Sequence, residues 1–237
     1  MIEVIPIPGK KAHPWLLKKH YARRVPPIKY AFAIVRDEEI QGVVTYGPPA
    51  SPQVAKSSVG EENRLLVIEL NRLCVETDIN NAASILVGHS LRLLPAGLIV
   101  VSYADTKMGH VGYIYQATNF KYCGAARAHD SEYIVNGAAV HPRTLASQGI
   151  TSPVKWAKDN NIKTRGAMLK HKYVFFTGGK SDRKRLSKIL KWKTLDKYPK
   201  SGAKVRYDSG PKLHRFELSA MDSVPKSTQA ELFAGLT

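Results

Sequence analysis

The stretch that most constrains the fold lies between residues 65 and 105. It reads LLVIELNRLCVE (65–76), AASILVGHSLRLL (82–94) and LIVVSYAD (98–105). The outer runs are rich in Val, Ile and Leu and flanked by polar or Gly/Pro residues, which predicts strands. Between them Ala83, Val87, Leu91 and Leu94 recur at spacings of four, four and three, the signature of one helix face. Asn80 or Asn81 can cap the start of this helix, and Pro95 and Gly97 end it. Glu69, Asn71 and Arg72 interrupt the first strand without alternating cleanly, so at least one of them should point into a cleft.

The remaining runs extend this strand, helix, strand unit. A first strand is expected at Glu3 to Ile7, and HPWLLKKHYARRVPP reads as a helix stopped by Pro26 and Pro27. KYAFAIVR (29–36) and IQGVVTYG (40–47) flank the acidic turn Asp37-Glu38-Glu39 as an antiparallel hairpin. The polar stretch 48–63 reads as a surface loop. VGYIYQAT is a helix; KYCGAARA (121–128) and EYIVNGAAV (132–140) supply two strands that complete a mixed α/β sheet, with HKYVFFTG (171–178) as one more. The length of 237 residues suits one domain with an added segment. Three regions are expected: a core over 1–162, a basic extension over 163–215 packed on it, and a weakly ordered end over 216–237.

Charge narrows the partners. The chain carries a formal +17, and residues 163–215 hold 17 Lys and Arg against Asp182, Asp196 and Asp208, leaving +3 for everything else. A short basic run is usually a solvated face, but +14 over about fifty residues, interleaved with Trp192, Tyr198 and Tyr207, points to nucleic-acid phosphate. Lys170, Lys172, Arg183, Lys184, Arg185 and Lys188 are the expected contacts, with Leu186, Ile189 and Leu190 making their segment an amphipathic helix. No run of about 18 apolar residues occurs, and the N-terminus lacks the order of a signal peptide, so the reading is a cytoplasmic protein without a membrane role. Cys74 and Cys123 match no disulfide or zinc pattern and read as small core residues.

VSYADTKMGHVGYIYQATNFKYCG resembles the close of the GNAT acyltransferase fold, in which the fifth strand leads to a helix carrying a tyrosine. The position matches Tyr115, with Asn119 where that fold usually has glycine. HYARRVPP, TYGPPAS, ELNRLCVE, VSYADTKMGHVGYIYQATNF, VHPRTL and KHKYVFF, in that order, resemble the Mom family of phage DNA-modification proteins. That resemblance implies a GNAT-like mixed, mostly antiparallel sheet flanked by helices. It also implies conversion of adenine in double-stranded DNA to N6-carbamoylmethyladenine, protecting phage DNA from restriction in the host cytoplasm.

Adenine's exocyclic amine is a poor nucleophile, so the chemistry needs an activated donor, a proton acceptor and an oxyanion site. By the resemblance, backbone N–H groups around Leu73 to Val75 would polarise the donor carbonyl and Tyr115 would protonate the leaving group. Asp105, ending an apolar strand, could take the amine proton, though it could also cap the following helix. His20 and Tyr21 match the family's HY pair and are grouped with the catalytic residues, and Arg23 and Arg24 beside them could clamp phosphate or a donor. Arg72 and Ser84 fit donor contacts, with an ion pair to Glu69 or a helix cap as their plainer roles. His110 reads as structural, and Tyr46, Tyr103 or Tyr113 could stack on a flipped adenine.

GNAT enzymes normally cradle coenzyme A pyrophosphate in a glycine-containing loop, but here that span reads ETDINNAAS. The expected donor is therefore an activated glycyl ester such as glycyl-tRNA, with acetyl-CoA, perhaps assisted by iron, as the competing donor. No metal-ligand motif occurs among the eight histidines, so the metal is left open, as is the oligomeric state, a homodimer included. A GNAT enzyme acylating a protein or small amine, or a DNA-binding protein without catalysis, are the alternatives.

Overall fold

The computed structural model describes residues 1–106, 109–127, 132–165 and 169–200. The expected end over 216–237, Tyr207 and the last part of the basic extension lie outside the described residues. Among the described residues two units are distinguished by their internal contacts, one formed by residues 1–126 and 170–200, the other by those within 127–169.

The first unit is built on a seven-stranded sheet. Its strands are β1 (Ile2–Pro6), β2 (Tyr30–Arg36), β3 (Glu39–Gly47), β4 (Val67–Val75), β5 (Ile99–Asp105), β6 (Lys121–Arg127) and β10 (Leu169–Phe176), in spatial order β1-β2-β3-β4-β5-β10-β6. β4 and β5 are parallel, joined across helix α3 (Ala82–Leu93) as a parallel pair requires, while β1–β2, β2–β3, β3–β4 and β5–β10 are antiparallel. This is the mixed, mostly antiparallel α/β sheet expected from the sequence. Asp37 and Glu38 make the β2–β3 turn with φ of 52° and 68°, and the N-terminal ammonium sits 2.9 Å from Asp37 Oδ1.

Both faces of the sheet are covered, which is why its central strands read as unbroken apolar runs. On one face Val44, Tyr46, Ile68, Leu70, Val100, Phe120 and Tyr173 pack against Leu86, Val87 and Leu91 of α3. α4 (Tyr113–Ala117) lies on this face and packs against α3. On the other, Ala12 and Leu16 of α1 (Gly9–Lys18) cover Ala33 and Val43. Beside them, Ala55 and Val59 of α2 (Pro52–Val59) and Leu186 of α7 (Lys180–Ile189) cover Val67, Ile99, Val101 and Val174.

Several expectations need correction. The first helix stops at Lys18, well before Pro26, because the turn after it diverts the next amides: Ala22 N–H bonds His20 Nδ1 and Arg23 N–H bonds the His20 carbonyl. The stretch 48–63 contains α2, begun by Ser51, whose side chain accepts from the Gln53 N–H, and by Pro52 at the first helical position. Asn81 stands at the N-cap position of α3, but with φ 58° and no side-chain cap. EYIVNGAAV does not complete the large sheet. It folds as a hairpin of β7 (Glu132–Val135) and β8 (Ala138–Val140) about Asn136-Gly137, both at positive φ as a tight primed turn demands.

That hairpin belongs to the second unit, where β9 (Thr164–Arg165) pairs with β7. α5 (Pro142–Ser147) and α6 (Pro153–Asp159) complete it, and Tyr133, Leu145 and Ala157 form its own small core with Val135, Val140, Ile150, Trp156 and Ile162. No helix among the described residues is long and apolar enough to cross a membrane.

Candidate active site

The parallel ladder of β4 and β5 is short. It pairs Val67, Ile68 and Glu69 with Ile99, Val100 and Val101 and then ends, although β4 continues to Val75 and β5 to Asp105. The cause lies in the sequence. On the other edge of β4, Tyr46 faces Leu70 and Thr45 faces Arg72, so Asn71 is an extra residue, a bulge that bends the strand. Its side chain fixes the bend: Oδ1 accepts from Thr45 Oγ1 at 2.6 Å and Nδ2 donates to the Pro27 carbonyl at 3.0 Å. Ser102 Oγ donates to the Leu70 carbonyl at 3.2 Å, satisfying an acceptor where the ladder stops.

Beyond that point the strands part. Glu76 N–H donates to Gln41 of β3, so by alternation Cys74 also turns its N–H towards β3, while Leu73 and Val75 turn theirs towards the opening. The polar interruptions of β4 thus mark a bulge, and Asn71, which holds it, is the residue whose part was least legible beforehand. Its signal was the broken alternation of Glu69, Asn71 and Arg72.

On the α1 face, five of the expected residues come together. Leu73 and Val75 pack towards α3 and Cys74 towards α1, which gives β4 two distinct sides. On β5, Val100 and Ala104 face α3 and Val101 faces α2 and α7, so Tyr103 and Asp105 follow Val101 to the α1 side. His20 is 6% exposed, its ring stacked on Tyr21 with centroids 4.4 Å apart. Burial, then the nearby charges of Arg72 and Arg24, push its imidazole pKa down to about 3. The Tyr21 hydroxyl is raised by burial and by the Asp105 charge, against the opposing influence of Arg72 and Arg24. His20, Tyr21, Arg24, Arg72 and Asp105 are therefore one electrostatic neighbourhood, while Arg23, at φ 42°, is exposed.

Lys170 stands directly opposite Asp105 across the β5–β10 ladder, and His110 donates its backbone N–H to the Asp105 carbonyl at 3.1 Å. Asp105 does not cap α4, whose N-cap position is Gly112. The Tyr103 hydroxyl is raised by burial and by Glu69. Tyr46 is not available for stacking: it is fully buried, with its hydroxyl 2.6 Å from Ser90 Oγ.

Tyr115 belongs to the opposite, α3 face. Its ring packs 5.3 Å from Phe120 and 5.2 Å from Tyr173. α4 is pinned there by Gln116 Nε2, which donates to the Val111 carbonyl at 3.0 Å and lies 3.3 Å from the Tyr173 hydroxyl. Ser84, in the first turn of α3, turns its hydroxyl back to the Asn81 carbonyl at 2.9 Å. The expected residues thus divide between two faces that meet where β4 and β5 part, with the Leu73 and Val75 amides at the junction.

The basic residues share the α1 face. Lys170 and Lys172 alternate with His171 and Tyr173 and lie with Val174 and Phe176, and Lys172 Nζ sits 4.5 Å over the Trp192 ring. Arg183, Lys184, Arg185 and Lys188 are exposed on α7, with Arg183 Nε bonded to the Gly178 carbonyl and Arg185 3.7 Å from Asp182. Lys121, overlooked in the sequence, lies over Phe176 on the same face.

Residues 1–200 match the Mom protein family. The chain belongs to this family. A curated relative, the methylcarbamoylase mom of Escherichia phage Mu, is 29% identical over 134 residues, which is 54% of each chain, so this chain spans about half the length of that relative. Among solved structures, a GNAT-family acetyltransferase from Bacillus cereus aligns over 76% of this chain and 99% of its own, at 11% identity and TM-score 0.38. An N-acetyltransferase from Staphylococcus aureus aligns over 74% and 98%, at 12% identity and TM-score 0.40.

The resemblance implies two groups, iron and coenzyme A. Among the described residues no three His, Cys, Asp or Glu side chains gather as a metal site would need; His20 Nδ1 is engaged by Ala22, and two guanidiniums stand beside that ring. Iron does not fit this donor set. Coenzyme A pyrophosphate fits poorly as well: the approach to α3 holds Glu76 and Asp78 and no glycine, and Asp78 is paired with Arg36 at 2.8 Å.

Proposed function

We propose that this protein is a transferase that converts adenine in double-stranded DNA to N6-carbamoylmethyladenine. The observation that carries the reading is the meeting of two half-sites in a Mom-family chain. One, with Tyr21, Arg24, Arg72 and Asp105, lies on the basic face; the other, with Tyr115, lies behind the parted strands. DNA would approach the α1 face, with Lys170, Lys172 and the exposed cations of α7 meeting phosphates. The adenine must leave the stack to enter, and Tyr103 and Tyr113 are the candidates to receive its ring.

Within the cleft Asp105 accepts the proton of the N6 amine, and Arg24 and Arg72 hold the phosphate of the flipped nucleotide. The Leu73 and Val75 amides polarise the donor carbonyl from the junction, and Tyr115 returns a proton to the leaving group. The donor that suits this site is an activated glycyl ester such as glycyl-tRNA, since no pyrophosphate cradle is needed for it. Attack by N6 on the ester carbonyl forms a glycyl amide and releases the alcohol. The free glycyl amine then bonds to ring carbon 6 as the bond from carbon 6 to the original nitrogen breaks, leaving that nitrogen as the terminal carboxamide.

Feeding nitrogen-15 glycine to cells that express the protein tests the donor. The label is expected on the nitrogen bonded to carbon 6 of the modified adenine. Label absent from that atom contradicts the glycyl donor while leaving the adenine product standing.

A further inference from the structure

His20 belongs to the turn more than to the cleft. Two successive amides end on it: Ala22 N–H on its Nδ1 at 3.0 Å and Arg23 N–H on its carbonyl at 3.0 Å. Arg23 is held at φ 42°, a left-handed conformation that disfavours a residue bearing Cβ and has to be stabilised by its surroundings. The imidazole is 6% exposed and stacked on Tyr21 of the same turn.

We propose that His20 is a positioning residue, whose Nδ1 holds the turn that presents Tyr21 and Arg24 to the cleft and whose ring takes no part in proton transfer. This rests on the transfer site described above. A nitrogen that accepts an amide hydrogen keeps its lone pair, so the neutral ring carries its proton on Nε2. Nδ1 is occupied and Nε2 is protonated; the ring has no lone pair left with which to abstract a proton. Protonating Nδ1 would require breaking the bond to Ala22 beside Arg24 and Arg72, which agrees with a pKa pushed down to about 3. The turn that His20 holds carries Tyr21 and Arg24, which share the electrostatic neighbourhood of Asp105 and Arg72.

Asparagine and glutamine separate the two nitrogens. Asn carries Oδ1 where histidine carries Nδ1, and it accepts the amide two residues on in an Asx turn, whereas Gln places its amide where Nε2 lies. In the full-length chain His20→Asn is expected to keep adenine modification within about threefold of wild type, and His20→Gln to lower it by about tenfold or more. The reverse order, equal loss in both, or wild-type activity in both would overturn the proposal. Nitrogen-15 NMR of the histidine-labelled wild-type chain decides it without activity: His20 should show an unprotonated Nδ1 and a protonated Nε2 at neutral pH, and a protonated Nδ1 overturns it. If the wild type modifies no adenine, the functional reading fails separately and the NMR result still stands for the turn.

Discussion

Asp105 is the proton acceptor of the proposed reaction, and it stands opposite Lys170 and close to the Tyr21 hydroxyl. Asp105→Asn keeps the shape and removes the acceptor, so modified adenine should fall by about two orders of magnitude or more in nucleoside mass spectrometry. His20 makes a separate prediction in pH. Its folded pKa, about 3, lies below the unfolded value of 6.5, so the unfolded chain takes the proton first. Its contribution is fully present above pH 6.5 and is lost as pH falls through the window down to about 3, at about 1.4 kcal/mol per pH unit. Urea unfolding at pH 7 and pH 4.5 should show wild type losing about 2.5 kcal/mol more than His20→Asn over that interval. Little of this was readable beforehand. The HY pair stands out by resemblance and Asp105 by its place at the end of an apolar strand, but the ring's pKa is depressed first by burial and then by Arg72, some fifty residues away.

The elements that position these residues were legible where a periodic pattern ran long and illegible where a turn decided the outcome. α3 and the strands β2 to β5 follow from apolar periodicity. α2 was hidden because Pro48, Pro49 and Ser51 read as loop until Ser51 and Pro52 are recognised as a helix start. EYIVNGAAV was misplaced because its Asn-Gly turn was passed over, and that turn folds the segment on itself instead of against the large sheet. Gly112, ahead of α4, is the element-scale test. Its φ is 81°, and a Cβ there would lie 2.5 Å from the Tyr173 ring, so Gly112→Ala must strain the turn and shift a buried aromatic. We expect a loss of about 2 kcal/mol or more in thermal or urea unfolding, and a larger fall in kcat than in affinity for DNA, since Tyr115 moves with α4.

At the scale of the whole molecule, charge and cleft tell one story only once folded. The +14 of residues 163–215 was plain in the sequence, but which face the cations of α7 occupy follows from Leu186 packing beneath Val101 and Val174. Replacing Arg183, Lys184, Arg185 and Lys188 with alanine should make the dependence of log K for DNA on log salt shallower by about 3 to 4, if all four meet phosphate. Non-target DNA should lose affinity equally, because these contacts carry no sequence information. The central claim is tested most directly by mass spectrometry of nucleosides from DNA of cells expressing the wild-type chain and Asp105→Asn. The account predicts N6-carbamoylmethyladenine with the wild type and near-total loss of it with the variant. Unchanged deoxyadenosine in both would contradict it.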